Sequence, residues 1–326
     1  MTDIRRYESV LGAIGWTPMV RLNKVTEGLR AEVWAKLEFL NPMGSIKDRI
    51  ARYMIEKAER EGRIREGALI IENSSGNTAL GLAMVAIQKG YRLKVVVRDS
   101  ISPEKEAQLA ALGAEVLKVD HTLPPDSPDS YNRITPRLAA DTPGCFFPDQ
   151  HNNRDNNEAH YATTGPEVWE QMEGRIDFLV AGMGTGGTIG GTAKFLKERD
   201  PNIRVVAVDS EGSIFTDYFH TGRRVEPKPY LLEGLGDEFL IGTADFTVID
   251  DIIQVSDRDA FLTTRELARR EGVMGGGSSG AALWAVRKLA SALDRPARIV
   301  TIFPDGASRY LSTIFNDGWM REKGFL

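Results

Sequence analysis

The stretch Asp177-Phe178-Leu179-Val180-Ala181-Gly182-Met183-Gly184-Thr185-Gly186-Gly187-Thr188 decides the fold. Asp177 to Ala181 has the apolar run and the length of a core strand, and the glycine turn after it opens a helix that runs to about Lys197. Such a turn gathers several backbone N–H groups and the positive end of a helix at one spot. That spot suits a phosphate. The same grammar repeats on both sides. Before it, Ala68 to Glu72 is a strand that breaks into Asn73-Ser74-Ser75-Gly76-Asn77, after which Leu80, Leu82, Ala83, Val85 and Ala86 recur at helical spacing. Leu93 to Val97 is a strand, Ser102 to Leu112 a helix with Pro103 in its first turn, Ala114 to Val119 a strand, and a helix is expected near Ala159 to Met172. After it come strand Arg204 to Val208, strand Asp251 to Val255, a helix from Ser256 through Ala268, glycines 275 to 277 opening another helix, and strand Arg298 to Phe303. Strands alternating with helices imply parallel sheets with crossovers. Between His121 and Pro128 proline and serine take over, which predicts an exposed loop.

Composition removes several classes of function. At roughly 150 residues per domain, 326 residues make about two domains. The 46 acidic against 41 basic side chains leave a net charge of −5, which offers no field for nucleic acid. No apolar run approaches the ~20 residues that cross a bilayer, and Met1 to Arg6 has no apolar stretch resembling a signal peptide, so no membrane partner is expected and the cytoplasm is the default location. The single cysteine, Cys145, cannot close an internal disulfide and reads as a structural thiol beside Phe146 and Phe147. His121, His151, His160 and His220 lack metal-ligand spacing, so no metal is expected, and no G-x-S-x-G elbow anchors a hydrolase triad.

Ligands of parallel α/β sheets sit at the carboxyl ends of strands, so the strand-to-helix loops are the candidates. Gly182, Gly184 and Gly187 also satisfy G-x-G-x-x-G, and the next strand ends in Asp209, which is the pattern of a nicotinamide-dinucleotide oxidoreductase. On residues alone, both ligands stay open. Asn73-Ser74-Ser75-Gly76-Asn77-Thr78 offers hydroxyls and amides at a helix start, able to hold a carboxylate or simply to cap the helix. Gly275-Gly276-Gly277-Ser278-Ser279-Gly280 repeats the arrangement. Lys47, in Gly44-Ser45-Ile46-Lys47-Asp48-Arg49, stands near a helix start, where a cation is disfavoured and an amine is easier to free.

In order along the chain, Gly15-Trp16-Thr17-Pro18, Gly44 to Arg49, Ser74 to Thr78, Asp149-Gln150, Gly184 to Thr188 and Arg309-Tyr310-Leu311 resemble the fold-type II pyridoxal-phosphate enzymes of the tryptophan synthase β-like superfamily, specifically the cysteine synthase and cystathionine β-synthase family. Asp126-Ser127-Pro128, His160 to Thr164, Val208 to Ile214, Leu232-Glu233-Gly234-Leu235-Gly236 and the tail from Trp319 look like the cystathionine β-synthase branch. The resemblance implies two open, twisted, mainly parallel sheets with flanking helices, a smaller domain over 41–150, and a larger one over 1–40 and 151–326. It implies pyridoxal 5′-phosphate carried by Lys47, its phosphate held by Gly184, Thr185, Gly186, Gly187 and Thr188, its 3′-oxygen bonded by Asn77 and its ring nitrogen faced by Ser278. Ser74, Ser75, Gly76, Thr78 and Gln150 would hold the substrate carboxylate, with Glu233 and Gly234 also on the substrate. The implied reaction is β-replacement on serine or an O-activated serine by a thiol, with homocysteine or sulfide as the nucleophile, in a homodimer without haem or S-adenosylmethionine control.

Three positions depart from the family pattern. Asn73 and Ala79 flank the hydroxyl loop, Gly306 follows Pro304-Asp305 where a serine is usual, and Asp237 stands where animal relatives carry an aromatic residue. The second leaves Ser278 as the neutral partner of the ring nitrogen unless Asp305 reaches it.

Overall fold

A computed structural model describes residues 6–124 and 127–326. Pro125 and Asp126, part of the expected loop and of one branch motif, lie outside the described residues, as do Met1 to Arg5 of the N-terminal reading. The strands are β1 (Met19–Leu22), β2 (Ala31–Leu37), β3 (Leu69–Asn73), β4 (Arg92–Arg98), β5 (Glu115–Val119), β6 (Phe178–Gly182), β7 (Arg204–Ser210), β8 (Asp251–Val255) and β9 (Ala297–Phe303). The helices are α1 (Lys47–Arg60), α2 (Asn77–Lys89), α3 (Pro103–Ala111), α4 (Tyr131–Ala140), α5 (Asp155–Ala162), α6 (Thr164–Gln171), α7 (Gly187–Arg199), α8 (Phe215–Thr221), α9 (Asp257–Glu266), α10 (Gly277–Ser291) and α11 (Asp317–Glu322).

The chain divides into two units, one holding the chain as far as Gly15 and Asn41–Asp155, the other Trp16–Leu40 and Asn156–Leu326. In the smaller unit β3, β4 and β5 form a parallel sheet in that order, and Phe146 extends it beyond β3 through N–H to Leu69 O (2.8 Å) and O from Ile71 N–H (2.9 Å). Helix α2 is buried from Thr78 to Ala86, which is why its sequence shows little polar face. Gly81 lets α1 come close, since a Cβ there would lie 3.2 Å from the Lys47 carbonyl oxygen. Leu11, in a short helical turn at Val10–Ala13, is buried in this same core with Ile55 and Leu82. The described part of 1–40 is therefore divided at Gly15, not wholly joined to the larger unit as expected.

In the larger unit the strand order is β1-β2-β9-β6-β7-β8, with β1 antiparallel to β2 and the other pairs parallel. Val33, Val206, Phe261, Leu283 and Ile299 are buried in its core. Lys36 is wholly buried, its Nζ 2.8 Å from Glu167 Oε2 and donating to Thr17 O (3.0 Å) and Gln171 Oε1 (2.9 Å). A charge taken out of water needs this combination of an opposite charge and further acceptors. The network ties β2 to α6.

Sequence periodicity missed β1, β2 and α4. A buried lysine interrupts β2, and α4 contains Pro136. The single helix expected near Ala159 to Met172 is two, α5 and α6. At Thr163 the backbone leaves helical geometry (φ −127°, ψ −67°), its hydroxyl bonds Ala159 O at 2.6 Å, and Gly165 and Pro166 follow. A hydroxyl turned back on its own helix and a proline lacking N–H together stop one helix and start another.

Candidate active site

Each unit brings its own group of predicted residues together at the carboxyl ends of its strands. In the smaller unit β3 ends at Asn73, the loop Ser74 to Gly76 follows, and α2 starts at Asn77. Ser74 and Thr78 are buried, while Ser75, Gly76 and Asn77 are half-buried. The Thr78 hydroxyl donates to Gln150 Oε1 at 2.6 Å, and the Gly76 N–H reaches Ser74 Oγ at 3.3 Å. The sequence reading put Gln150 with this loop, and the bond across 72 residues joins them. Lys47, half-buried, is the first residue of α1, its N–H on Ser45 Oγ at 3.2 Å. Asp48 in the same first turn accepts the Met43 N–H at 2.7 Å, which fixes the chain entering the helix. His151, beside Gln150, is pushed down to about 4 by burial and then by the positive charge of Lys47. It is neutral above that pH.

In the larger unit Gly186 caps α7 with φ +75°, a left-handed conformation that suits glycine. Glycine is also required here for space. A Cβ on Gly184 would sit 2.3 Å from Gly234 O, one on Gly186 2.9 Å from Thr243 O, and one on Gly187 1.9 Å from Asn156 Oδ1. Buttresses that spacing could not reveal lie beneath the turn. Asn156, wholly buried, donates to Thr185 Oγ1 at 3.1 Å, and Asn157 donates to Thr243 O at 2.9 Å. His160, also wholly buried, has Nδ1 2.8 Å from Thr164 Oγ1 and Nε2 3.2 Å from Thr188 Oγ1. The contacts of α5 with the glycine turn and Thr243 give these three residues their place: the two amides look like ordinary surface in the sequence, and His160 stands there in a branch motif without a role. Replacing His160 by glutamine keeps one of its two hydroxyl contacts and should cost about 1 kcal/mol, read as a lower thermal midpoint. An unchanged midpoint would remove His160 from the support of the turn.

The turn Leu232 to Gly236 connects the two glycine loops of this unit. Gly236 N–H donates to Met183 O at 2.9 Å, and Leu232 Cδ1 lies where a Cβ of Gly277 would be, 2.8 Å away. Glu233 and Gly234 on this turn are exposed, and Ser278, buried, is in the first turn of α10. Asp305 takes the Tyr310 hydroxyl at 2.8 Å, its backbone oxygen accepts the Gly276 N–H at 3.0 Å, and a Cβ on Gly276 would strike its Oδ1 at 2.1 Å. The Tyr310 phenol is raised well above its ordinary value, first by burial and then by the Asp305 charge, so it remains a donor. Gly306 pairs with Gly275 in an isolated bridge.

One other sequence reading is corrected here. Asp209, wholly buried, spends Oδ2 on the Thr216 N–H (3.0 Å) and hydroxyl (2.7 Å), so the acid on which the dinucleotide alternative relied holds its own chain instead of facing a ribose. Asp99, Asp120 and His121 come together with ligand atoms within 4.8 Å, a grouping that histidine spacing did not show. All three are exposed, and His121 Nδ1 is bonded to Asp99 Oδ1 at 2.7 Å.

Parallel strands that end in glycine turns at helix starts in the larger unit, and a smaller unit with a lysine at the start of α1, are the features of an α/β enzyme of the phosphorylated-cofactor class. The chain belongs to the pyridoxal-phosphate-dependent enzyme family, whose model matches residues 10–305. It is 43% identical over 319 residues to the cystathionine β-synthase of Apis mellifera, covering 97% of this chain and 63% of that protein, so the chain spans about three fifths of that relative. To a cysteine synthase of Staphylococcus aureus it is 42% identical over 308 residues, covering 94% of this chain and 96% of that one. Among solved structures it resembles a hydrogen sulfide-producing enzyme from Fusobacterium nucleatum, with a TM-score of 0.86, 35% identity and coverage of 94% and 99%. The cofactor is pyridoxal 5′-phosphate. The turn Gly182 to Thr188 fits its phosphate: four glycines without room for a Cβ, a helix start that no side chain caps, two threonine hydroxyls and no acidic residue. No described helix is long and apolar enough to cross a membrane.

Proposed function

We propose that this chain catalyses β-replacement on serine, or on an O-activated serine, by a thiol, with serine and homocysteine giving cystathionine and water. The observation that carries the reading is the buried hydroxyl of Ser278 in the first turn of α10, a neutral group for the ring nitrogen, beside an Asp305 whose Oδ2 takes the Tyr310 hydroxyl. A hydroxyl does not hold that nitrogen protonated as a carboxylate would, and a weaker electron sink favours loss of a β leaving group over transamination. When bound, pyridoxal phosphate supplies the sink for the charge left at the substrate α-carbon.

The chain's own residues do the rest. Backbone N–H groups of Gly184 to Thr188 would hold the phosphate, and the Asn77 amide would bond the 3′-oxygen. The hydroxyls of Ser74, Ser75 and Thr78, the Gly76 backbone and the Gln150 amide fix the substrate carboxylate, so the α C–H bond is presented to Lys47. Lys47 Nζ would hold the cofactor and would be the general base for the α-proton. Glu233 and Gly234, exposed on their turn, flank the incoming thiol. A homodimer in the cytoplasm completes the reading, on the family resemblance.

Cysteine synthase is the second reading, favoured by the alignment over 96% of the S. aureus enzyme and by Asp237 in place of an aromatic residue. Incubating the holoenzyme with serine or O-acetylserine, each with homocysteine or sulfide, and weighing the products separates the two. Cystathionine from serine is expected. Cysteine alone, from O-acetylserine and sulfide, would replace the first reading with the second.

A further inference from the structure

At the end of β3, directly before the hydroxyl loop, Glu72 is wholly buried. Its Oε1 accepts the N–H of Asn73 at 3.0 Å, and its Oε2 faces the N–H of Gln150 at 3.4 Å. One carboxyl group thus clamps the two segments proposed to hold the substrate carboxylate: Asn73 leads into Ser74 to Thr78, and Gln150 is bonded through its side chain to Thr78. No ion pair to Glu72 is found among the described residues, so no cation offsets a charge at this site. Asp149 faces it from the turn before Gln150 and adds a second negative charge. Tyr131 faces it from α4, its phenol raised above its ordinary value by burial and then by the Glu72 charge, and Arg98 of β4 stacks on that ring at 4.9 Å. His151, next on the turn, is neutral above about pH 4.

We propose that Glu72 is the positioning residue of the carboxylate site and takes up a proton when an anionic carboxylate enters it. The inference rests on the assignment of Ser74 to Thr78 and Gln150 to the substrate carboxylate. Burial first, and the Asp149 charge after it, raise the Glu72 carboxyl to about 8 despite its backbone donors. An anion added beside a group with that affinity raises it further, because two like charges in a poorly solvated place cannot both persist. The sign follows directly. Below pH 7 Glu72 is already protonated and binding moves no proton. Between about pH 8 and 9 binding draws one in, and affinity for the carboxylate falls as pH rises through this window.

The probe is 3-hydroxypropanoate, which is serine without its amine and cannot displace Lys47 from the cofactor. Calorimetric titration of the holoenzyme in two buffers of different ionisation enthalpy counts the protons taken up. Near zero is expected at pH 6.5 and about half a proton or more at pH 8.5, with affinity dropping roughly tenfold between pH 7 and pH 9. Glu72→Gln, neutral and of the same shape, should bind with no proton uptake and a flat profile. A purely structural role would weaken binding equally at every pH and leave the proton count alone. Binding without proton uptake in the wild-type protein overturns the inference while leaving the carboxylate site standing. Failure of 3-hydroxypropanoate to bind at any pH, in either protein, would remove the carboxylate site and the inference with it.

Discussion

Lys47→Ala is expected to lose the visible absorbance of lysine-bound pyridoxal and to reduce turnover by at least about 10³-fold, while the protein stays folded. The size reflects the two duties proposed for one nitrogen, carrying the cofactor and serving as the base, and removing a positioned base alone costs roughly 10²–10⁴. Stability should hardly move. Lys47 is half-buried at the first position of α1, its N–H bond to Ser45 Oγ belongs to the backbone, and alanine is the strongest helix former. A readout inside the same unit accompanies the loss. His151 is depressed to about 4 by burial and then by the Lys47 charge, so with that charge gone its imidazole should titrate at a higher pH, still below its ordinary 6.5 because burial remains. NMR titration of His151 reports this without any cofactor. Normal turnover and colour in Lys47→Ala would end the assignment of this lysine.

The sequence made the repeating strand, loop and helix legible because each buried strand is a short apolar run and each loop is marked by glycine or serine. It was blind where burial is polar. Lys36 lies inside β2 as a wholly buried cation, and a pattern that equates charge with surface passes over such a strand. The break at Thr163 depends on a hydroxyl turning back to Ala159, which the residue names around it do not specify. The same limit governs the site. Lys47, the hydroxyl loop and the glycine turn stand out only as motifs in the order that carries the family resemblance, since each alone has a plain structural reading. Asn156 and His160 lie beneath the glycine turn, and their contacts exist only after α5 has packed against it. Glycines show the difference well: a Cβ at Gly76 would meet nothing within 4 Å, whereas one at Gly187 would overlap Asn156, though both residues stand at the start of a helix after a strand.

Gly184→Ala tests that difference where its effect should be greatest. The added Cβ would lie 2.3 Å from Gly234 O and 3.0 Å from Gly234 C. Both are backbone atoms, so no side chain can swing aside to admit it. The turn Leu232 to Gly236 is itself held to the loop by the Gly236 N–H on Met183 O at 2.9 Å, and Leu235 Cδ1 already occupies the space a Cβ of Gly182 would need, at 2.5 Å. Relief therefore requires the loop and the turn to separate, which spoils the alignment of the N–H groups proposed to hold the phosphate. Overpacking of this kind costs typically 1–3 kcal/mol. If most of it falls on the cofactor-binding form, affinity for pyridoxal phosphate drops by up to about 100-fold, at 1.4 kcal/mol per tenfold. Fluorescence titration of the apoprotein with pyridoxal phosphate measures the loss, and titration with pyridoxal, which lacks the phosphate, supplies the control. Weakening of the first with little change in the second is what a phosphate cradle at Gly184 to Thr188 requires. Equal weakening of both would move the phosphate elsewhere in the protein.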